Sequence, residues 1–163
     1  MKKFNTVKLI IAIAMPLLVG GLSAFLTKDA MVAFDTINKP PLAPPGIAFP
    51  IVWSILYVLM GIASYLIYSS DVDKLSDKEI LLRKKTLILY FTQLVFNFFW
   101  SIIFFKFSMY MFAFVWLVVL WALVFLFIKN ALKLNKVAAY LMIPYLLWVT
   151  FAGYLNIMIA ISN

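Results

Sequence analysis

The chain contains neither cysteine nor histidine. The absence of cysteine excludes disulfides, thiolate metal ligands and cysteine nucleophiles. The absence of histidine excludes a Ser-His-Asp triad, imidazole metal ligands and a haem iron held by histidine. We therefore predict no metal site and no resident cofactor. Any chemistry must depend on aromatic, amide and hydroxyl side chains and on the shape of the protein.

Charged residues are also scarce. They make up 12% of the 163 residues, whereas 66% are hydrophobic and the mean hydropathy is +1.07. A soluble domain has about 25% charged residues, so this composition is typical of an integral membrane protein. The 14 basic residues outnumber the six acidic ones but are spread among apolar blocks, and they form no basic stripe of the kind that binds nucleic acid. The expected surroundings are a lipid bilayer, and no nucleic-acid partner is expected.

Five stretches without charge are each long enough to span a bilayer. A spanning segment must satisfy its backbone hydrogen bonds internally, and none of these stretches alternates as a barrel strand does. We therefore predict an all-α bundle of five transmembrane helices, forming a single membrane domain over residues 1–163. The predicted helices cover about residues 7–27, 50–69, 86–105, 109–128 and 137–160.

Basic residues are distributed unevenly between the two ends of this bundle. The N-terminus, the loop between helices 2 and 3 and the loop between helices 4 and 5 together carry eleven Lys or Arg residues. The first loop, the turn between helices 3 and 4 and the C-terminus carry three. Basic loops stay on the cytoplasmic side, so we predict a plasma-membrane protein with its N-terminus in the cytoplasm and its C-terminus outside. All six acidic residues lie outside the predicted spans, which leaves no carboxylate at mid-membrane for a proton relay.

The first loop, residues 28–49, is rich in proline. Pro40, Pro41, Pro44 and Pro45 lie within it, and Pro50 follows directly. A run of this kind is stiff and loses little conformational entropy when it is ordered. Two interpretations remain open: a spacer that only connects two helices, or a lid over the mouth of the bundle.

Polar and aromatic side chains share single faces of three predicted helices. At about 100° per residue, they occupy arcs of about 60° on helix 2, 100° on helix 3 and 80° on helix 5. The three sets are Trp53, Tyr57, Ser64 and Tyr68; Gln93, Asn97, Trp100 and Ser101; and Tyr145, Trp148, Ala152 and Asn156. Amides are costly against lipid, so the three faces are expected to meet inside the bundle. They either hold the helices together or line a pocket for a flat, mostly apolar ligand.

Three blocks of sequence resemble the translocator protein family, also called tryptophan-rich sensory proteins or peripheral-type benzodiazepine receptors, and the chain is identified as a bacterial member. The first block contains Lys39-Pro40, Pro44-Pro45, Phe49, Trp53, Leu56-Tyr57 and Met60-Gly61-Ile62-Ala63. The second contains Gln93-Leu94, Asn97, Trp100-Ser101 and Phe104-Phe105, and the third contains Pro144-Tyr145, Trp148, Phe151-Ala152 and Leu155-Asn156. The resemblance covers almost the whole chain and implies a five-helix membrane protein that is often a homodimer.

The resemblance also implies a pocket that opens toward the first loop. Such a pocket would bind protoporphyrin IX and haem-type tetrapyrroles, and synthetic isoquinoline carboxamide and benzodiazepine ligands. The implied pocket residues are Trp53, Tyr57, Asn97, Trp100, Ser101, Trp148 and Ala152, and the polar face of helix 5 adds Tyr145. Asn97 or Ser101 is expected to form a hydrogen bond with the ligand. Nothing basic follows Tyr154, so the sterol-binding segment of animal members is not matched.

Three functions remain open on the sequence. The first is a receptor or sensor that binds porphyrins. The second is an enzyme that degrades porphyrin with light and oxygen, for which Trp53 and Trp148 are the candidate catalytic electron donors because no conventional acid–base or metal groups are available. The third is a transporter that exports tetrapyrroles or other small apolar molecules.

Overall fold

A computed structural model of the chain describes residues 5–34, 40–70 and 75–162. The described residues form five long α-helices and a short π-helical turn. The helices are α1 (Thr6–Phe34), α2 (Ala48–Tyr68), α3 (Asp77–Ser101), α4 (Tyr110–Leu134) and α5 (Lys136–Ser162), and the π turn covers Ile102–Lys106. All five helices are long and apolar enough to cross a membrane, which confirms the predicted five-helix membrane fold.

Several helices are longer than the uncharged stretches that predicted them. Helix α1 continues to Phe34 instead of ending near residue 27, α3 begins at Asp77 instead of residue 86, and α4 continues to Leu134 instead of residue 128. A helix can extend beyond the hydrocarbon, where charged residues are solvated, so a charge does not mark its end. At the start of α3 the Glu79 carboxylate accepts hydrogen bonds from the backbone N–H and the hydroxyl of Ser76, at 2.9 and 2.7 Å. This capping arrangement fixes a helix start that the hydropathy pattern does not reveal.

The helices form a ring in the order α1, α2, α5, α4 and α3. Each packs against its neighbours in that order, and the π turn together with α3 closes the ring against α1. Helix α1 is the least buried of the five, whereas α2, α3, α4 and α5 share an interior of large apolar side chains. We call the end of the bundle that holds residues 40–47 the loop end, and the end where α1 begins the N-terminal end.

Two glycines allow α1 and α2 to approach each other closely. A Cβ atom placed on Gly61 would lie 2.5 Å from the Cα atom of Ile13 and 2.6 Å from the carbonyl oxygen of Ala12. On the other side of the contact, a Cβ atom on Gly20 would collide with the ring of Tyr57. The Tyr57 ring can therefore pack directly against α1 because Gly20 has no side chain.

The described part of the proline-rich loop is held against α5. The Ala43 N–H donates to the carbonyl of Pro40 at 3.2 Å, and Leu42 has a φ of 72° within this turn. The Tyr154 hydroxyl donates to the carbonyl of Pro41 at 3.2 Å, so the turn is tethered to the C-terminal part of α5. Pro40 is buried, while Pro41 and Pro45 are exposed. Residues 35–39, and with them Lys39 of the first sequence block, lie outside the described residues.

Candidate functional site

The centre of the bundle contains a chain of hydrogen bonds that joins α2, α3 and α5. The Tyr57 hydroxyl donates to Asn97 Oδ1 at 2.8 Å, and Asn97 Nδ2 donates to the Tyr145 hydroxyl at 3.1 Å. The Tyr145 hydroxyl in turn donates to Gln93 Oε1 at 3.0 Å. The predicted polar faces therefore meet at these four residues, whose side chains hold the three helices together, whereas Tyr68 of the predicted helix 2 face is exposed.

A second polar contact lies nearer the loop end. Trp100 Nε1 donates to Asn156 Oδ1 at 3.2 Å, and Asn156 Nδ2 donates to the carbonyl of Tyr110 at 2.7 Å. The side chain of Asn156 thus joins α3, α5 and the start of α4. The Trp100 ring stacks on Phe104 with ring centroids 5.3 Å apart. Its orientation is therefore fixed by both a hydrogen bond and a ring contact.

A cavity of about 410 Å³ opens beside these contacts at the loop end. This volume falls within the range of about 300–1,000 Å³ that is usual for small-molecule sites. The cavity lies between α1, α2 and the end of α3 with its π turn. Its lining comprises Gly20, Ser23, Ala24, Thr27 and Lys28 of α1, Gly46, Phe49, Pro50, Trp53 and Tyr57 of the loop and α2, and Trp100, Ser101 and Phe105.

The cavity wall combines aromatic planes with a few polar groups. Trp53 stacks on Tyr57 with ring centroids 5.4 Å apart, which presents two nearly parallel rings on the α2 side. The hydroxyls of Ser23 and Thr27 donate to backbone carbonyls, to that of Phe98 at 3.2 Å and to that of Ser23 at 2.9 Å. Lys28 is exposed and supplies a cation to the lining. Such a surface suits a flat apolar ligand that carries an anionic group.

Comparison with known proteins identifies the chain. The sequence model of the TspO/MBR family matches residues 12–161. The chain belongs to this family. It is 34% identical over 141 residues to the tryptophan-rich protein TspO of Chlorobaculum tepidum, covering 86% of this chain and 85% of that protein. It is also similar to the tryptophan-rich protein TspO of Archaeoglobus fulgidus (32% identical, 98% of this chain and 99% of that protein) and to the translocator protein of Bos taurus (31% identical, 87% and 82%).

Four of the eight predicted ligand residues of this TspO/MBR chain line the cavity. They are Trp53, Tyr57, Trp100 and Ser101. The other four, Asn97, Tyr145, Trp148 and Ala152, do not. The pocket was expected among helices 2, 3 and 5, whereas this cavity has α1 as its third wall beside α2 and α3.

Asn97 differs most from its expected role. Its side chain is only 1% exposed, and its amide bonds to Tyr57 and Tyr145. A ligand in the cavity would meet the rings of Tyr57 and Trp100 before it met this amide. Of the two residues expected to form a hydrogen bond with the ligand, Ser101 alone belongs to the lining.

Trp148 lies one ring away from the cavity. Its ring makes an edge-on contact with Phe49, with centroids 6.0 Å apart, and Phe49 lines the cavity. Trp148 Nε1 is buried and has no hydrogen-bond partner among the described residues. Trp53 and Trp148, the two candidate electron donors, are therefore not equivalent.

Helix α1 contributes site residues that the sequence reasoning missed. Gly20, Ser23 and Thr27 line the cavity, and their spacing of three and four residues places them on one helical face. That stripe of small and hydroxylated residues is the signal that could have revealed them. Among the described residues, no group of three or more acidic side chains that could hold a metal ion occurs.

Proposed function

We propose that this TspO/MBR protein is a membrane receptor that binds a porphyrin in the loop-end cavity. The observation that carries the proposal is a 410 Å³ cavity that combines the stacked rings of Trp53 and Tyr57 with the ring of Trp100 and the cation of Lys28. A porphyrin is flat and apolar over most of its area, and protoporphyrin carries carboxylates at one edge. Isoquinoline carboxamide and benzodiazepine ligands share the flat aromatic part and are proposed to occupy the same cavity.

The shape of the site assigns a part to each wall. The rings of Trp53 and Trp100 offer π surfaces to the macrocycle, and the hydroxyl of Ser101 offers a hydrogen bond. Lys28 is the lining residue of α1 nearest the loop, and in this proposal its cation pairs with a carboxylate of the porphyrin. The tethered loop at residues 40–47 adds Gly46 to the rim, which supports the interpretation of the loop as a lid.

The test is a titration of the purified protein with protoporphyrin IX, followed by quenching of tryptophan fluorescence and by the porphyrin absorbance band. Ala24→Trp fills the cavity and should abolish binding, because Ala24 belongs to its lining. Ala122→Trp is the matched control, since Ala122 is an exposed residue of α4 outside the lining. Equal binding by both variants would overturn the proposal.

A second candidate function is light-dependent degradation of the bound porphyrin, which is favoured by the position of Trp53 in the cavity wall. Light and dioxygen would supply the oxidising power, and Trp53 is the tryptophan best placed to supply an electron. Trp53→Phe should keep binding but slow the loss of porphyrin absorbance under illumination in air. Trp148→Phe should have a smaller effect, because Phe49 separates Trp148 from the cavity. A wild-type rate no faster than that of detergent-dissolved porphyrin would contradict this activity.

A further inference from the structure

A second cavity lies at the N-terminal end of the bundle, where α1, α2 and α3 meet. Its volume is about 390 Å³. It shares no lining residue with the loop-end cavity. The lining comprises Lys8, Ile11, Ala12 and Met15 of α1, Ser64, Tyr65 and Tyr68 of α2, and Leu87, Tyr90 and Phe91 of α3.

The mouth of this cavity is marked by a cation. Lys8 lies in the first turn of α1, and its Nζ atom is 3.4 Å from the Tyr68 hydroxyl and 5.2 Å from the centroid of the Tyr68 ring. The guanidinium carbon of Arg83 is 5.4 Å from the centroid of the same ring, and the guanidinium donates to the carbonyls of Ile67 and Tyr68. Two cations, those of Lys8 and Arg83, therefore lie next to Tyr68, the last residue of α2.

The interior of the cavity contains an unused polar group. Tyr90 is 1% exposed, and its hydroxyl has no hydrogen-bond partner in the described part of the chain. The neighbouring Ser64 hydroxyl donates to the carbonyl of Gly61 at 2.9 Å. Leaving a buried hydroxyl without a partner costs about 1–3 kcal/mol, so a bound molecule that accepts a hydrogen bond from Tyr90 would remove this cost.

We propose that this cavity binds a single-chain anionic amphiphile, with a monoacyl glycerol phosphate as the chemical class. The phosphate pairs with Lys8 at the mouth, the ester or glycerol oxygen accepts a hydrogen bond from Tyr90, and the acyl chain lies against Ile11, Met15 and Phe91. This assignment uses three separate observations: an apolar cavity, a cation at its mouth and an orphaned hydroxyl inside it. This proposed lipid site is separate from the loop-end cavity, and its assignment does not depend on the function proposed for that cavity.

The test measures binding of 1-oleoyl lysophosphatidate to the purified protein by native mass spectrometry, with 1-oleoyl lysophosphatidylcholine as the zwitterionic comparison. The wild type should bind one lysophosphatidate about tenfold more tightly than the zwitterion. Lys8→Gln should remove most of this preference. Lys129→Gln should keep it, because Lys129 is an exposed lysine of α4 near the same end of the bundle but outside the cavity lining. Equal affinity for the two lipids in the wild type would overturn the proposal.

Two further variants locate the site. Tyr90→Phe removes only the hydroxyl and should weaken binding several-fold while the unfolding temperature stays the same or rises. Ala12→Trp fills the cavity and should abolish lipid binding but leave porphyrin binding intact, and Ala24→Trp should do the reverse. If Ala12→Trp does not fold, the Tyr90 and Lys8 variants decide. Unchanged lysophosphatidate affinity in both of them would assign the lipid to the outer surface of the bundle and reject the site.

Discussion

At the scale of single residues, Tyr57 connects the core to the cavity. Its hydroxyl bonds to Asn97 inside the bundle, while its ring stacks on Trp53 and forms part of the cavity wall. The ring occupies the space left free by Gly20 of α1. A substitution of Asn97, Trp53 or Gly20 is therefore expected to move the Tyr57 ring and so to alter the shape of the cavity.

Asn97→Leu should destabilise the bundle more than it weakens porphyrin binding. The substitution removes the acceptor of the Tyr57 hydroxyl and one partner of Tyr145, both of them buried. We expect a loss of about 1–3 kcal/mol in the free energy of unfolding, the cost of leaving a buried donor unpaired. Thermal or denaturant unfolding in detergent measures it. Asn130→Leu, near the end of α4, is the control. If the Asn97→Leu protein keeps its stability and loses only its affinity for porphyrin, Asn97 contacts the ligand after all.

At the scale of elements, α1 is the helix that defines both cavities. It is the least buried helix, and it contacts α2 closely at Gly61 while lining a separate cavity toward each end of the bundle. Two adjacent glycines in α1 behave differently: Gly20 lies against Tyr57, and nothing lies within 4 Å of the Cβ position on Gly21. Close packing is therefore a property of one glycine and not of the pair.

Gly61→Ala should lower the unfolding temperature, because the new methyl group meets backbone atoms of Ala12 and Ile13, which cannot rotate away. Overpacking of this kind costs about 1–3 kcal/mol. Gly21→Ala is the matched control and should leave the unfolding temperature unchanged or higher, since the position is open and alanine favours a helix. Circular dichroism melting in detergent compares the two. Equal melting temperatures would show that α1 and α2 have room to separate.

The loop that joins α1 and α2 provides a second prediction at this scale. Tyr154→Phe removes the hydrogen bond to the carbonyl of Pro41 that tethers the loop to α5. If the loop is a lid, porphyrin should dissociate several-fold faster, with a smaller change in the equilibrium affinity because association also becomes faster. Stopped-flow fluorescence measures both rates. Tyr140→Phe, exposed on the same helix at the other end, is the control, and identical rates in all three proteins would favour the spacer interpretation.

At the scale of the whole molecule, five membrane-spanning helices place the two cavities at opposite ends of the bundle. The basic residues Lys8, Lys78, Arg83, Lys84 and Lys85 lie toward the N-terminal end, as do Lys129, Lys133 and Lys136. Lys2, Lys3, Lys39 and Lys74, which also entered the count of basic residues, lie outside the described residues. We propose that the protein lies in the plasma membrane with the N-terminal end in the cytoplasm and the loop end outside.

Cysteine labelling tests the orientation directly, because the native chain has no cysteine. Ile47→Cys places a thiol at an exposed position of the loop end, and Lys78→Cys places one at an exposed position of the opposite end. In intact cells a membrane-impermeant maleimide should label the first and not the second. Permeabilised cells, in which both should react, provide the control. If only the Lys78→Cys protein is labelled in intact cells, the orientation is the opposite of the one proposed.

The sequence by itself determined the number of helices and the faces that meet. Both follow from local physics: a spanning segment needs about 20 apolar residues and satisfies its own backbone, and a 3.6-residue period gathers Trp53 with Tyr57 and Asn97 with Trp100. The resemblance of three sequence blocks to one family was confirmed by the match over residues 12–161. Helix ends were less predictable, since caps such as Ser76 with Glu79 lie beyond the hydrophobic stretch.

Only the tertiary structure decided where the cavity lies. The angular positions of Tyr145 and Asn97 on their own helices are compatible with a ligand or with each other, and a hydrogen-bond partner exists only once three helices have packed. Their amide and hydroxyl groups then bond together, and the open space lies beside Gly20, Ser23 and Thr27, on the least buried helix. A cavity is the volume that several helices leave unfilled, and no single helix encodes it.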